Sequence, residues 1–320
     1  MIGCINSRTR RLAAQRSWFF ATLVIALFSI PAKAGDGDAV MQFDTPDAAV
    51  KALMAAAKSG DKGTLLKIFG PVCHELVSGD AVQDKADFER FAKRLEAGNK
   101  LRKNDDGSIT VCVGKTGHPF AIPLVQKDGK WHFDGDAGRE ELLNRRIGEN
   151  ELKTIAVCRG YVVAQRDYFD EDRDDDGVLE YAQKIASTAG RKDGLFWETT
   201  ENEPASPLGP LVTEARGEGY AKRDAGDTAP RPYHGYLYRI LTKQGDKAPG
   251  GKFDYVINGN MVAGFALVAT PVQYGNSGIM TFVVNSNGRV FEKDLGEKSA
   301  EVVSAMQEYN PDATWKQSED

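Results

Sequence analysis

The apolar residues of this chain pass from helical to strand-like spacing near residue 100, and that change restricts the first part of the fold more than any other feature. Thr45-Pro46-Asp47 is a helix start: a hydroxyl cap, proline at the first helical position, and an acid favoured by the helix dipole. Ala49, Val50, Leu53, Met54 and Ala57 then recur at helical spacing until Ser59-Gly60. Asp61 opens a shorter helix carrying Leu65, Ile68 and Phe69, and Asp87 to Leu95 places Phe88, Phe91, Ala92 and Leu95 on one face. The runs that follow are short and strand-like: Ser108 to Val113, Phe120 to Val125 and Lys130 to Phe133. Asp106-Gly107 and Asp128-Gly129 between them suit tight hairpins. Helices followed by antiparallel strands predict an α+β domain over 40–138.

The remainder repeats that logic. Gly135 to Asn150 is densely charged and reads as a connecting helix or hinge, and a longer helix should run from about Glu149 to Phe169. Its apolar stripe is Leu152, Ile155, Cys158, Val162 and Phe169, and an acidic turn from Asp170 to Gly177 ends it. A short helix is predicted near Glu180 to Ser187. Thr199 to Pro232 holds five of the 13 prolines, so little regular structure is expected there beyond one helix begun by Pro210. Four strands should close the chain: Gly235 to Leu241, Phe265 to Ala269, Met280 to Val284 and Arg289 to Lys293. The last two are joined through Asn285-Ser286-Asn287-Gly288. The second predicted domain, 139–320, is therefore one helix laid on an antiparallel sheet.

Charge and cysteines bound the setting. The first 34 residues hold five basic side chains and no acid, with an apolar run from Trp18 to Ile30 and Ala32-Lys33-Ala34 before Gly35. This predicts a secretory signal peptide, 1–34, cut after Ala34, and a periplasmic protein. Without it, 36 Lys and Arg face 46 Asp and Glu, so nucleic acid is excluded as a partner. No second apolar run approaches the roughly 18 residues of a membrane span. Cys4 leaves with the leader. Cys73, Cys112 and Cys158 allow three pairings in an oxidising compartment. The expected bridge is Cys73 with Cys112, with Cys158 a buried thiol in the helical stripe; the alternative is three free thiols.

Five motifs then carry a resemblance. They are Gly129-Lys130-Trp131-His132-Phe133-Asp134, Arg145 to Leu152, Asp176 to Ala182, Gly194-Leu195-Phe196-Trp197 and Pro232-Tyr233-His234-Gly235-Tyr236. Together they resemble the exported bacterial family known as domain of unknown function 2950. The resemblance implies no activity or catalytic residues. Ala48 to Pro71 is also similar to the opening of nuclear-transport-factor-2-like (NTF2-like) domains, in which helices wrap a curved sheet around a pocket. The helix from Glu149 with Phe265 to Pro271 and Met280 to Val284 is similar to bacterial pseudopilin heads. That helix is internal and carries Arg159, Arg166 and Asp167, so insertion into a filament core is not implied.

Two constellations could carry chemistry. Asp172-Arg173-Asp174-Asp175-Asp176-Gly177 matches the opening of a calcium loop, with Val178 able to offer a carbonyl and Glu180 a carboxylate, though Gln183 replaces the usual final glutamate. The alternative is a solvated turn ending the helix. His132 and Asp134, two apart on a predicted strand, share one face and could move a proton in a cone-shaped pocket; the alternative is an exposed strand face. Tyr236 and Tyr238 either form a platform for glycan or a peptide strand, or pack in the core. The function expected is that of a non-enzymatic periplasmic binding or assembly factor, calcium-stabilised, whose partner is an envelope protein or glycan. The alternative is a small-ligand enzyme using His132 and Asp134.

Overall fold

The computed structural model describes residues 40–75, 78–220 and 231–319; the leader expected at 1–34 lies outside them. Four helices come first: α1 (Pro46–Ser59), α2 (Lys62–Phe69), α3 (Val72–Glu75) and α4 (Ala81–Ala97). Their starts follow from local chemistry. Thr45 accepts from the Ala48 amide at 3.2 Å, Asp61 from Thr64 at 3.1 Å, and Asp80 from Val82 and Gln83, both at 3.2 Å. Asp80 therefore begins α4 two turns earlier than the apolar spacing alone predicts. Five strands follow: β1 (Asn99–Lys103), β2 (Ile109–Val113), β3 (His118–Pro119), β4 (Leu124–Lys127) and β5 (Lys130–Phe133). They form an antiparallel sheet ordered β1-β2-β4-β5, with β3 beside β2. The helices lie on one face, and Leu53, Ile68, Leu95, Val111, Leu124 and Phe133 fill the space between.

α5 (Gly135–Phe169) is one unbroken helix of 35 residues, which corrects the expected hinge. Asp134 caps it, no proline interrupts it, and Gly148 stands free of steric conflict inside it. The boundary expected at 138/139 thus falls within its first turns. The early part of α5 packs Leu142 on the first core, and Ile155, Cys158, Tyr161, Val162 and Tyr168 enter a second one.

After α6 (Gly209–Gly217) come β6 (Tyr236–Leu241), β7 (Lys243–Gln244), β8 (Phe253–Asp254), β9 (Val256–Ile257), β10 (Asn260–Met261), β11 (Ala266–Pro271), β12 (Met280–Asn285) and β13 (Val290–Asp294). α7 (Ser299–Ala305) and β14 (Lys316–Gln317) end the chain. The main sheet is antiparallel, ordered β14-β13-β12-β11-β6, and β7–β8 and β9–β10 are separate hairpins. Alternation along β6 sends Tyr238 towards α5, where its hydroxyl meets Thr154 at 3.3 Å. Arg239 takes the other face and donates to the Met306 carbonyl beyond α7 at 2.6 Å. The second sheet is thus covered on both sides, an α+β arrangement in which α7, not foreseen in the sequence, covers the face away from α5.

No helix forms at Glu180 to Ser187. The backbone of Ala182 instead exchanges two hydrogen bonds, each 2.8 Å, with the buried Gln165 side chain of α5. A tertiary partner replaces the helical one.

The two cores are joined by buried polar contacts. Gln83 of α4 donates to Asn150 of α5, which donates to the Ser277 carbonyl at 2.8 Å. Asp80, 1% exposed, accepts from the Tyr220 hydroxyl at 2.7 Å and the Gly235 amide at 3.3 Å. No helix among the described residues is long and apolar enough to cross a membrane.

Candidate functional site

The acidic loop begins where α5 stops. One carboxylate oxygen from each of Asp172, Asp174 and Asp176 lies within 4.8 Å of the other two. Asp175 and Gly177 take left-handed φ values of 62° and 85°, which turn the loop back on itself. Asp172 is held by the amides of Asp176 at 3.3 Å and Gly177 at 2.9 Å, and Asp176 accepts from the Val178 amide at 2.8 Å. The hairpin β9–β10 supplies the other wall: Asn260 donates to Asp176 and the Met261 amide to Glu180, both at 2.8 Å. Gln183 donates to the Gly259 carbonyl at 2.7 Å and also bears on the Glu180 carboxylate.

The electrostatics of the loop are unfavourable as it stands. Burial, then the neighbouring Asp176 and Asp172, raise the Asp174 pKa. Burial, with Asp174 and Asp176 adding to it, does the same at Glu180. Arg173 does not relieve this. Its guanidinium pairs with Glu171 at 3.1 Å and Asp167 at 3.4 Å and lies over the Trp197 ring. Among the described residues no cationic side chain pairs with Asp172, Asp174 or Asp176.

These residues fit calcium. Every donor is oxygen, as a hard cation requires, and three oxygens within 4.8 Å of one another lie no more than about 2.8 Å from a common centre, so a small inward movement brings them to Ca–O bonding distance. Glu180 stands outside this cluster, its carboxylate engaged by the Met261 amide and the Gln183 side chain, while the Val178 carbonyl follows the glycine as in calcium loops. The bidentate acid at the end of such loops is absent, which predicts a modest affinity.

His132 and Asp134 are placed differently from each other. His132 lies on β5 opposite Val125, facing away from the core that Phe133 enters, and its buried Nδ1 has no partner. Asp134 follows the strand, and its carboxylate accepts from the Ala137 amide at 3.1 Å as the cap of α5. The helix side of the sheet is filled by Phe69, Phe91, Phe120 and Phe133, with ring centroids 4.9 to 6.3 Å apart.

The expected disulfide is corrected. Cys73, Cys112 and Cys158 are all free. Val111 and Val113 point into the first core, so alternation turns Cys112 to the other face of β2, while Cys73 packs on the core side and donates to the Leu65 carbonyl. A bridge would have to pass through the sheet. Burial pushes the Cys73 thiol up to about 11 and Cys158 up to about 12. Of the two readings of the tyrosines, core packing holds: Tyr236 is 0% exposed and donates to the Met280 carbonyl, and Tyr238, packed against the same core, donates to the Tyr233 carbonyl.

The sequence reading missed the β9–β10 hairpin, although Asn258-Gly259 between two apolar pairs is a strong turn signal, realised here with φ of 54° and 99°. It also missed Asp80, Tyr220 and His234. Burial lowers the His234 pKa to about 4, and its Nε2 stands 3.4 Å from Glu218. No local motif joins residues so far apart in the chain. Among known proteins, no curated protein and no solved structure matches this chain. One family profile matches residues 41–318, nearly everything described above. The chain belongs to that family, DUF2950, described as "Protein of unknown function".

Proposed function

We propose that the protein is a non-enzymatic binding or assembly factor of the bacterial envelope, exported to the periplasm and stabilised by calcium. The observation that carries this reading is the convergence of Asp172, Asp174 and Asp176 within 4.8 Å, between the end of α5 and the β9–β10 hairpin. An ion there ties the end of α5 to a hairpin that bears on the second core through Met261. Its effect is to hold a surface in shape, because ion binding to the folded state alone stabilises that state by mass action. The partner is an envelope protein or glycan.

Asp174 gives the cleanest test, because its side chain makes no hydrogen bond with the rest of the protein that its removal would break, whereas Asp172 and Asp176 hold the loop. Calorimetric titration of the mature chain with calcium chloride should show one saturable site, absent from Asp174→Ala. Chelator should lower the melting temperature of the wild type alone. Identical titrations and melting for both proteins would refute the calcium role.

A further inference from the structure

We infer that the groove between the last turns of α4 and the β2–β3 turn is a second site, one that binds a phosphate group. It is separate from the acidic loop and does not depend on calcium. The chain as a whole is acidic, with a formal net charge of −5, yet no acid lines this groove of about 440 Å³. Its walls carry the cations Arg90, Lys93, Arg94 and Lys115, with His118 beside them. Helical spacing puts Arg90, Lys93, Arg94 and Ala97 on one face of α4. Gly114 and Gly117, with φ of 76° and 69°, fold the opposing turn so that Lys115 and Thr116 stand at its tip.

Three features give the groove a preference for an oxyanion. First, its cations are unequally engaged. Arg90 is neutralised by Asp87 at 2.8 Å and Glu149 at 3.3 Å, whereas Lys93, Arg94 and Lys115 form no ion pair among the described residues. Second, the turn offers backbone donors. Gly114 donates to Gly98 at 2.8 Å and Gly117 to Gly114 at 3.1 Å, leaving the amides of Lys115 and Thr116 unbonded among the described residues. Third, Arg145 holds the His118 ring at the edge of the groove. Arg145, held by Glu141 at 2.7 Å and the Pro119 carbonyl at 2.9 Å, places its NH1 3.2 Å from His118 Nε2. A guanidinium only donates, so Nε2 accepts and the hydrogen sits on Nδ1.

Ammonium, guanidinium, amide and hydroxyl donors around one concavity match a phosphate group, which offers acceptors in several directions and up to two charges. The same chemistry comes from a soluble phosphate ester or from a phospholipid headgroup. Titration with inorganic phosphate at low ionic strength, followed by amide chemical shifts, should show saturable binding with the largest shifts at Lys115 and Thr116. Arg94→Gln with Lys115→Gln should weaken it roughly tenfold for each cation removed. Arg102→Gln, on the edge strand β1 outside the groove, should leave it unchanged. The wild-type melting temperature should survive all three changes, since the side chains are exposed.

Flotation with phosphatidylglycerol vesicles separates the sources. Vesicle binding that phosphate displaces assigns a lipid headgroup, and phosphate binding without flotation assigns a soluble ester. Phosphate shifts that do not saturate, or that persist equally in the Arg94, Lys115 double variant, would overturn the proposal. Chelator should not alter phosphate binding, so failure of the calcium reading and failure of this one are distinguishable.

Discussion

A single type of substitution, glycine to alanine within α5, should change stability in opposite directions at two positions. At Gly148 a new Cβ meets nothing within 4 Å, so alanine brings only its helical preference, about 1 kcal/mol of stabilisation. At Gly138 the same atom would stand 2.6 Å from the Ile122 Cα and 2.9 Å from its nitrogen. These are backbone atoms, so no rotamer change relieves the conflict. Reaching an ordinary contact of 3.4 Å requires the helix to retreat by about 0.8 Å from a residue that is 0% exposed. The Asp134 amide, bonded to the Pro123 carbonyl at 2.9 Å, ties the helix start to the same segment and resists that movement. Overpacking against fixed backbone costs about 3 kcal/mol, and the helical preference offsets about 1, leaving a net loss near 2 kcal/mol. Urea unfolding followed by circular dichroism should place the two variants on either side of wild type, about 3 kcal/mol apart. A Gly138→Ala protein as stable as Gly148→Ala would refute the close approach of α5 to Ile122.

Other expectations follow from the same geometry. Asn150→Ala leaves Gln83 and the Ser277 carbonyl without partners, at about 1 to 3 kcal/mol each, so the urea midpoint should fall clearly. His234 is neutral when folded, with its pKa lowered to about 4 from 6.5 chiefly by burial, so the unfolded chain takes up its proton first. Its contribution is complete above pH 6.5 and is lost as the pH falls towards 4, and His234→Asn, which tolerates the φ of 52°, should flatten that part of a melting-temperature profile. Half-buried Cys73 and fully buried Cys158, both with raised pKa, should react slowly with a thiol reagent at pH 7 in the native state and promptly in denaturant, and a reducing agent should leave the melting temperature unchanged.

The early helices were legible because their signals are local: Thr45-Pro46-Asp47 and Asp61 carry the caps that the structure uses. β6, β11 and β12 of the second sheet were legible as largely apolar runs, and β13, which is mostly charged, through the Asn285-Ser286-Asn287-Gly288 turn that precedes it. β1 was not, since Asn99-Lys100-Leu101-Arg102-Lys103 offers one apolar residue, and its place at the sheet edge demands no more. The continuity of α5 was hidden by its charged first half, which lies over the first module with one flank in solvent. Ala182 was misread as helical because its true partner, Gln165, lies 17 residues earlier. At the candidate site the alternating aspartates announced themselves, while Asn260 and the Met261 amide could be placed only by pairing two distant segments. The cations of the α4 groove gave no motif at all, because α4 and the β2–β3 turn meet only in three dimensions.

The unbroken α5 has a consequence for how the molecule comes apart. Spanning about 52 Å at 1.5 Å per residue, it is a beam whose two ends are seated in different cores. Fraying begun at either seat strips turns from the other, so heat should melt both halves in one calorimetric peak. A chain severed after Gly138 leaves nearly the whole rod with the second half, so the first half, which loses it, should be the fragment that fails to fold.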